Sequence, residues 1–198
     1  FQGLVFKEEQ VGYLAGVLAA SVTKTGVVGA VGGINTIPPV VKYLNGYRNG
    51  AAAVNPNVKV LVQYVSTDIT KAFSDPGAGK SIAAQMIGQK ADAIFQVAGL
   101  SGAGAIEAAC ATPDVIGIGV DTDQAKSLPG DVSCVLTSAE KKLTNAVVAA
   151  IKKVGAKTDK GGTAIWDASS DPVGVGLSPL QGDYVGLVTP AVQKAIDD

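Results

Sequence analysis

The chain has 198 residues, 47% of them hydrophobic, with 16 basic side chains against 17 acidic and a formal net charge of −1. That length allows one domain or two small ones with a workable core, and the near-neutral charge argues against nucleic acid or anionic lipid as the main partner. No run of about 18 uncharged apolar residues occurs, so no membrane-spanning helix is expected, and the absence of histidine removes the commonest general base and zinc ligand. Neither a metal nor another cofactor is therefore expected, and the partner is expected to be small and polar.

Taken in order, the chain starts at Phe1 with no basic segment ahead of an apolar core, so no signal peptide is read. A processed or cut start fits as well as a cytosolic one. Glu8–Ala20 carries apolar residues at helical spacing, interleaved with small ones. Val27–Val31 reads as a short buried strand opening into Gly32-Gly33, and a loop with Pro38-Pro39 leads to a helix over Val40–Val54. Asn55-Pro56-Asn57 closes that helix, and Val58–Val65 is rich in β-branched residues and reads as a strand. A polar loop, Ser66–Gly79, precedes a helix from Lys80 to Gln89.

The stretch from Ala91 to Gln124 is the most informative. Two apolar segments, Ala93–Val97 and Val115–Val120, flank a helix-compatible segment, which makes a β-α-β unit. A crossover of this length joins parallel strands, so both carboxyl ends share one edge of the sheet. The turn Gly99–Gly104 and the acid Asp121 then lie side by side in the crevice where open α/β sheets bind ligands. Asp121 is the candidate hydrogen-bond acceptor. Four strand-helix repeats up to Asp121 predict a doubly wound parallel sheet with helices on both faces.

After Gln124 the rhythm changes to a loop with Pro129-Gly130, a strand Val132–Thr137, a helix Ala139–Val154 and a strand Gly161–Trp166. A segment rich in glycine, proline and serine runs to Gln181, and a helix over Pro190–Ile196 ends the chain. Three such segments, Phe1–Glu9, Gln124–Pro129 and Ser170–Pro179, have the composition of hinge crossovers. Cys110 and Cys134 form neither a CxxC pair nor a metal cluster, and two readings stay open: buried thiols, or a disulfide in an oxidising compartment.

Two motifs invite a nucleotide reading. In DPGAGKS (Asp75–Ser81) the phosphate-loop pattern requires glycine where Ser74 stands, so the segment reads as a helix start with Lys80 exposed. Gly102-Ala103-Gly104 is followed by Glu107 where a dinucleotide fingerprint needs a small residue. Among the few aromatics, Phe73 lies in a loop at the carboxyl edge and is the candidate for stacking on a purine. Phe95 fits the core, and Trp166 precedes a crossover.

FKEEQVGYLAGVLAA, GVVGAVGG followed by PPV, NGYRNGAAAVNPNVKVLVQYV, the turns at Asp75–Lys80 and Ala98-Gly99, IGVDTDQ and VLTSAEKK together resemble the basic membrane protein family. Its members are PnrA-like solute-binding lipoproteins of ABC importers, many of which bind purine nucleosides. The resemblance implies two α/β lobes of type I periplasmic-binding-protein kind, joined by three crossovers around a ligand cleft. It places a complete second lobe at residues 10–124, with residues 1–9 and 125–198 as crossovers and C-terminal elements of the first lobe. The N-terminal half of that first lobe is expected to precede Phe1.

Carried over by position, the resemblance makes Asp121 a ribose-binding carboxylate and Lys141 a ligand-facing ammonium, and it lays the Gly99-Leu100 turn against the ligand. It implies an ABC permease as partner and an extracytoplasmic, lipid-anchored full-length protein. The expected function is capture of a purine nucleoside or similar polar solute, without catalysis. The competing expectation, resting on DPGAGKS and the sheet, is an α/β enzyme acting on a nucleotide or phosphorylated substrate.

Overall fold

The chain opens on strand β1 (Gln2–Phe6) and passes into helix α1 (Glu8–Val22), whose first turn carries Glu8 and Glu9 at the positive end of the helix dipole. Strand β2 (Val27–Gly32) leads to helix α2 (Pro38–Val54), where two prolines supply the preset φ of a first helical turn. Strand β3 (Lys59–Tyr64) is followed by a short helix, α3 (Ile69–Ala72), and by α4 (Pro76–Gly88). The Asp75 side chain caps α4 by accepting from the Ala78 amide at 2.9 Å. Strand β4 (Ala93–Val97), helix α5 (Gly99–Cys110) and strand β5 (Ile116–Asp121) complete the β-α-β unit. Then come α6 (Gln124–Ser127), β6 (Val135–Lys141), α7 (Leu143–Gly155), β7 (Gly162–Trp166) and β8 (Val175–Leu177). This computed structural model describes residues 1–128, 130 and 132–181. Pro129 and the helix expected over Pro190–Ile196 lie outside the described residues.

Six strands form one sheet in the order β3-β2-β4-β5-β6-β8. The first five run parallel, and β8 closes the edge antiparallel to β6. Helices cover both faces, as the alternation of strand and helix predicts. The strand residues divide accordingly, with Phe95 and Val97 in the apolar cluster under α1 and α2, and Ile94 in the cluster with Ile82 and Met86 of α4. Tyr47 stacks on Phe95 at 5.1 Å between ring centroids, which confirms Phe95 as core.

Several expected boundaries move. The Val132–Thr137 strand is β6, displaced to Val135–Lys141, and the helix expected from Ala139 starts at Leu143. Pairing of Asp121 with Glu140 in the β5–β6 ladder holds Ala139–Lys141 extended despite their helix propensity. The Gly99–Gly104 turn is the first part of α5, and α4 begins at Pro76 rather than Lys80. Gln2–Phe6, expected as crossover, is a strand paired in parallel with β7 in a separate two-stranded sheet.

The boundary expected at Gln124 falls within the larger sheet, because β6 and β8 follow it in sequence and belong to that sheet. The chain therefore changes sheets between β1 and α1, after β6 and between β7 and β8. After β6 the chain leaves the larger sheet at Lys142, past the Gln124–Pro129 segment. At this neck the Lys7 amide donates to Trp166 at 2.9 Å and the Lys142 amide to Gly174 at 2.8 Å. Among the described residues of α7 only Ala146 is buried, and Leu143, Val147, Ile151 and Val154 stand exposed at helical spacing.

Cys110, the last residue of α5, is disulfide-bonded to Cys134 just ahead of β6. Of the two readings left open, the structure takes the disulfide. The bond closes a loop of 24 residues, so the chain-entropy model gives it about 3 kcal/mol. Cys110→Ser and Cys134→Ser are each expected to lower stability by about 2–4 kcal/mol. Denaturant unfolding with and without reductant checks this, and reductant should not shift the midpoint of either variant.

Candidate functional site

Strand β2 hands the chain outward to β3, and the next strand, β4, lies on the other side of β2. At that reversal the loops leaving the two carboxyl ends diverge and open a crevice. A cavity of about 270 Å³ occupies it. Ile37, Pro39, Val40 and Tyr43 line it from the loop after β2 and the start of α2, and Phe73 from the loop after β3. Val97 and Gly99 come from the end of β4, Val120 and Asp121 from β5, and Lys141 from the end of β6.

Asp121 is the last residue of β5 and has a φ of +65°. The Thr122 amide donates to the Val120 carbonyl at 2.7 Å, closing a three-residue turn with Asp121 at its centre. Positive φ in such a turn is strained for a residue with a side chain, at about 1–3 kcal/mol, and strain of this kind concentrates at functional sites. The side chain is half exposed, and its Oδ1 lies 3.0 Å from Lys141 Nζ. The Tyr43 hydroxyl lies 3.5 Å from the same oxygen and 3.3 Å from the Ala139 carbonyl.

Lys141 sits at the end of a strand, where the sequence had placed it on a helix. Its ammonium is 6.0 Å from the Tyr43 ring centroid, at the outer reach of a cation–π contact. Burial first, then the carboxylates of Asp121 and Glu8, push the Tyr43 phenol far above its usual range, so it stays a donor. Lys142, the neighbour of Lys141 in sequence, pairs with Glu140, and burial lowers its pKa against the opposing pull of Asp123.

Phe73 is wedged between the two glycine turns. A Cβ on Gly33 would come within 2.3 Å of its ring, and one on Gly99 within 3.4 Å of its backbone oxygen. Gly99 also has a φ of +55°, which glycine alone adopts without cost. Leu100 is placed differently from its partner in the turn. Its amide donates to the Phe73 carbonyl at 3.1 Å, while its side chain is exposed and does not line the cavity. Asp121, Lys141, Gly99 and Phe73 thus come together, and Leu100 stays at the rim. Trp166 lies at the neck, away from the cavity lining.

Tyr43 and Gln124 were not singled out from the sequence. Gln124 Oε1 accepts from Gln96 Nε2 at 2.6 Å and from the Val120 amide at 3.1 Å, and its own amide donates to Ser138 Oγ at 3.0 Å. This buried network ties the ends of β4, β5 and β6 together beneath Asp121. Gln96, the one polar residue in the AIFQV strand, was its signal, since a buried amide needs partners. The Asp75–Ser81 segment contributes nothing to the cavity lining. Asp75 caps α4 where a phosphate would sit, and Lys80 is paired with Glu107 at 2.6 Å. Among the described residues no cluster of three or more acidic or cysteine side chains could hold a metal ion.

A family model described as ABC transporter substrate-binding protein PnrA-like matches residues 2–197. The chain belongs to this family. It is 42% identical over 149 residues to basic membrane protein D of Borreliella burgdorferi strain JD1, a match covering 75% of the chain and 41% of that protein. It is 33% identical over 206 residues to the ABC transporter nucleoside-binding protein BmpA of Lactococcus lactis subsp. cremoris, covering 97% and 57%. The chain therefore spans about half the length of these relatives. A solved ABC transporter solute-binding protein from Conexibacter woesei superposes with a TM-score of 0.76 at 26% identity, covering 99% of this chain and 60% of that one. The α/β fold with a mostly parallel sheet is that of type I periplasmic-binding-protein-like solute-binding proteins.

Proposed function

We propose that this PnrA-like family member binds a purine nucleoside, or a similar ribose-bearing solute, and presents it to an ABC permease outside the cytoplasm. The observation that carries the reading is the Asp121 carboxylate, turned into the cleft by a strained three-residue turn at the switch point of the sheet. Both close donors of that carboxylate, Lys141 and Tyr43, fall on Oδ1, which leaves Oδ2 for a hydroxyl from the cleft. A vicinal diol offers two donors to such a carboxylate, and Phe73, packed on two glycine turns, offers a ring face for a base.

In this reading the six-stranded sheet is one lobe, and the β1–β7 sheet is the beginning of the other. Ligand selects the closed arrangement by its greater affinity for it, with the chain bending at the three neck segments. The Cys110–Cys134 disulfide supports an oxidising, extracytoplasmic setting, and lipid anchoring at the cell membrane is part of the proposal. Titration calorimetry with a panel of purine nucleosides, on the longest polypeptide that the gene encodes, tests it. Saturable heat from at least one nucleoside is expected, and no heat from any of them sinks the proposal.

A further inference from the structure

Tyr43 has a feature that core packing alone does not require. Its ring is 1% exposed and packs edge-on to Phe95 at 6.2 Å, so the apolar cluster would accept phenylalanine there. The hydroxyl, however, reaches the wall of the cleft and lies between two acceptors, Asp121 Oδ1 at 3.5 Å and the Ala139 carbonyl at 3.3 Å. Both distances exceed the usual O–H···O length. One proton faces two acceptors, and a small movement of the carboxylate decides which receives it.

We infer that Tyr43 is a positioning residue for the Asp121 carboxylate, committing its proton to Oδ1 when a diol engages Oδ2 and so fixing the carboxylate for a riboside. The inference rests on the riboside reading of the cleft. Lys141 at 3.0 Å already holds Oδ1 from the end of a long aliphatic stem, whereas the Tyr43 ring is buried and its main chain packs against Gly12 where α1 and α2 cross. Without the hydroxyl, Lys141 would be the side-chain donor left on Oδ1, and the carboxylate would be held by that ion pair and the strained turn.

The experiment compares wild type, Tyr43→Phe and Asp121→Asn, together with the double variant, against a riboside and its 2′,3′-dideoxy analogue. It uses calorimetry on the longest encoded polypeptide, with thermal denaturation of each variant alongside. Tyr43→Phe is expected to weaken the riboside by about tenfold, the size of one hydrogen bond to a charged group, and to leave the dideoxy analogue within twofold. In the double variant the Tyr43 effect should fall below threefold, because the amide that replaces the carboxylate accepts only an uncharged, weaker hydrogen bond from the phenol. If the hydroxyl serves only the Ala139 carbonyl, stability shifts but the riboside-to-analogue ratio stays unchanged, and the inference is overturned. Equal weakening of both ligands overturns it as well. A wild type that binds neither ligand removes the riboside reading itself, and that failure is told apart from the others by the first titration.

Discussion

Asp121→Ala is expected to weaken riboside binding by a hundredfold or more. A carboxylate accepting two hydroxyls makes two charge-assisted hydrogen bonds of about 1.5–3 kcal/mol each, and every 1.4 kcal/mol is tenfold in affinity. Alanine loses both bonds and leaves the Lys141 ammonium, 3.0 Å from Oδ1, without its partner in the cleft. Two further substitutions separate charge from backbone. Asp121→Asn keeps a side chain that tolerates the +65° φ and still accepts one hydrogen bond, so a loss of about tenfold is expected. Asp121→Gly relaxes the turn altogether, yet should bind as poorly as alanine while melting no lower than wild type. Calorimetry and thermal denaturation of the three variants decide the matter. A riboside that binds Asp121→Ala within threefold of wild type would show that this carboxylate is not the anchor.

The parts of this site legible in sequence are those set by local pattern. Ala93–Val97 and Ile116–Val120 are buried on both faces, so they read as apolar runs interrupted only by Gln96, and parallel pairing alone brings Gly99 and Asp121 to one rim. Phe73 was found because a loop at that rim has to carry it. What pattern does not encode is pairing across long separations. Gln2–Phe6 becomes a strand by lying against Gly162–Trp166, about 160 positions away, and the Val175–Leu177 strand exists through its partner Ala139–Lys141. The same ladder kept Lys141 out of a helix that its Ala-Glu-Lys-Lys context favours. Tyr43 was invisible for another reason. Its spacing marks it as core, and only the rotation of α2 against the sheet brings its hydroxyl to Asp121. The disulfide belongs with these, because two cysteines 24 positions apart do not by themselves declare a bond.

Gly16→Ala and Gly50→Ala are expected to destabilise the fold by about 2 kcal/mol or more each, against the sign of helix propensity. In an isolated helix the change to alanine stabilises by about 1 kcal/mol. Here α1 and α2 cross with glycines facing backbone from both sides. A Cβ at Gly12 would lie 2.3 Å from the Tyr43 carbonyl oxygen and one at Gly16 2.0 Å from that of Tyr47. Reciprocally, one at Gly46 would lie 2.2 Å from the Glu9 carbonyl oxygen and one at Gly50 2.0 Å from that of Tyr13. These obstacles are main chain on a neighbouring helix, so relief requires the helices to part by about an ångström or more along most of their contact. Overpacking of this kind costs about 1–3 kcal/mol and occasionally more, and parting the helices also loosens the core beneath them, including Leu18, Leu44 and Tyr47. Because Tyr43 is one of the contacted residues, the displacement would move its hydroxyl from Asp121, coupling the crossing to the ligand site. A melting temperature lower by about 4–8 °C is expected for a chain of this size. Gly88→Ala serves as the control, since a Cβ there meets nothing within 4 Å and should be neutral or slightly stabilising. If Gly16→Ala melts at or above wild type, the helices do not approach this closely, and the rigid seat assigned to Tyr43 goes with them.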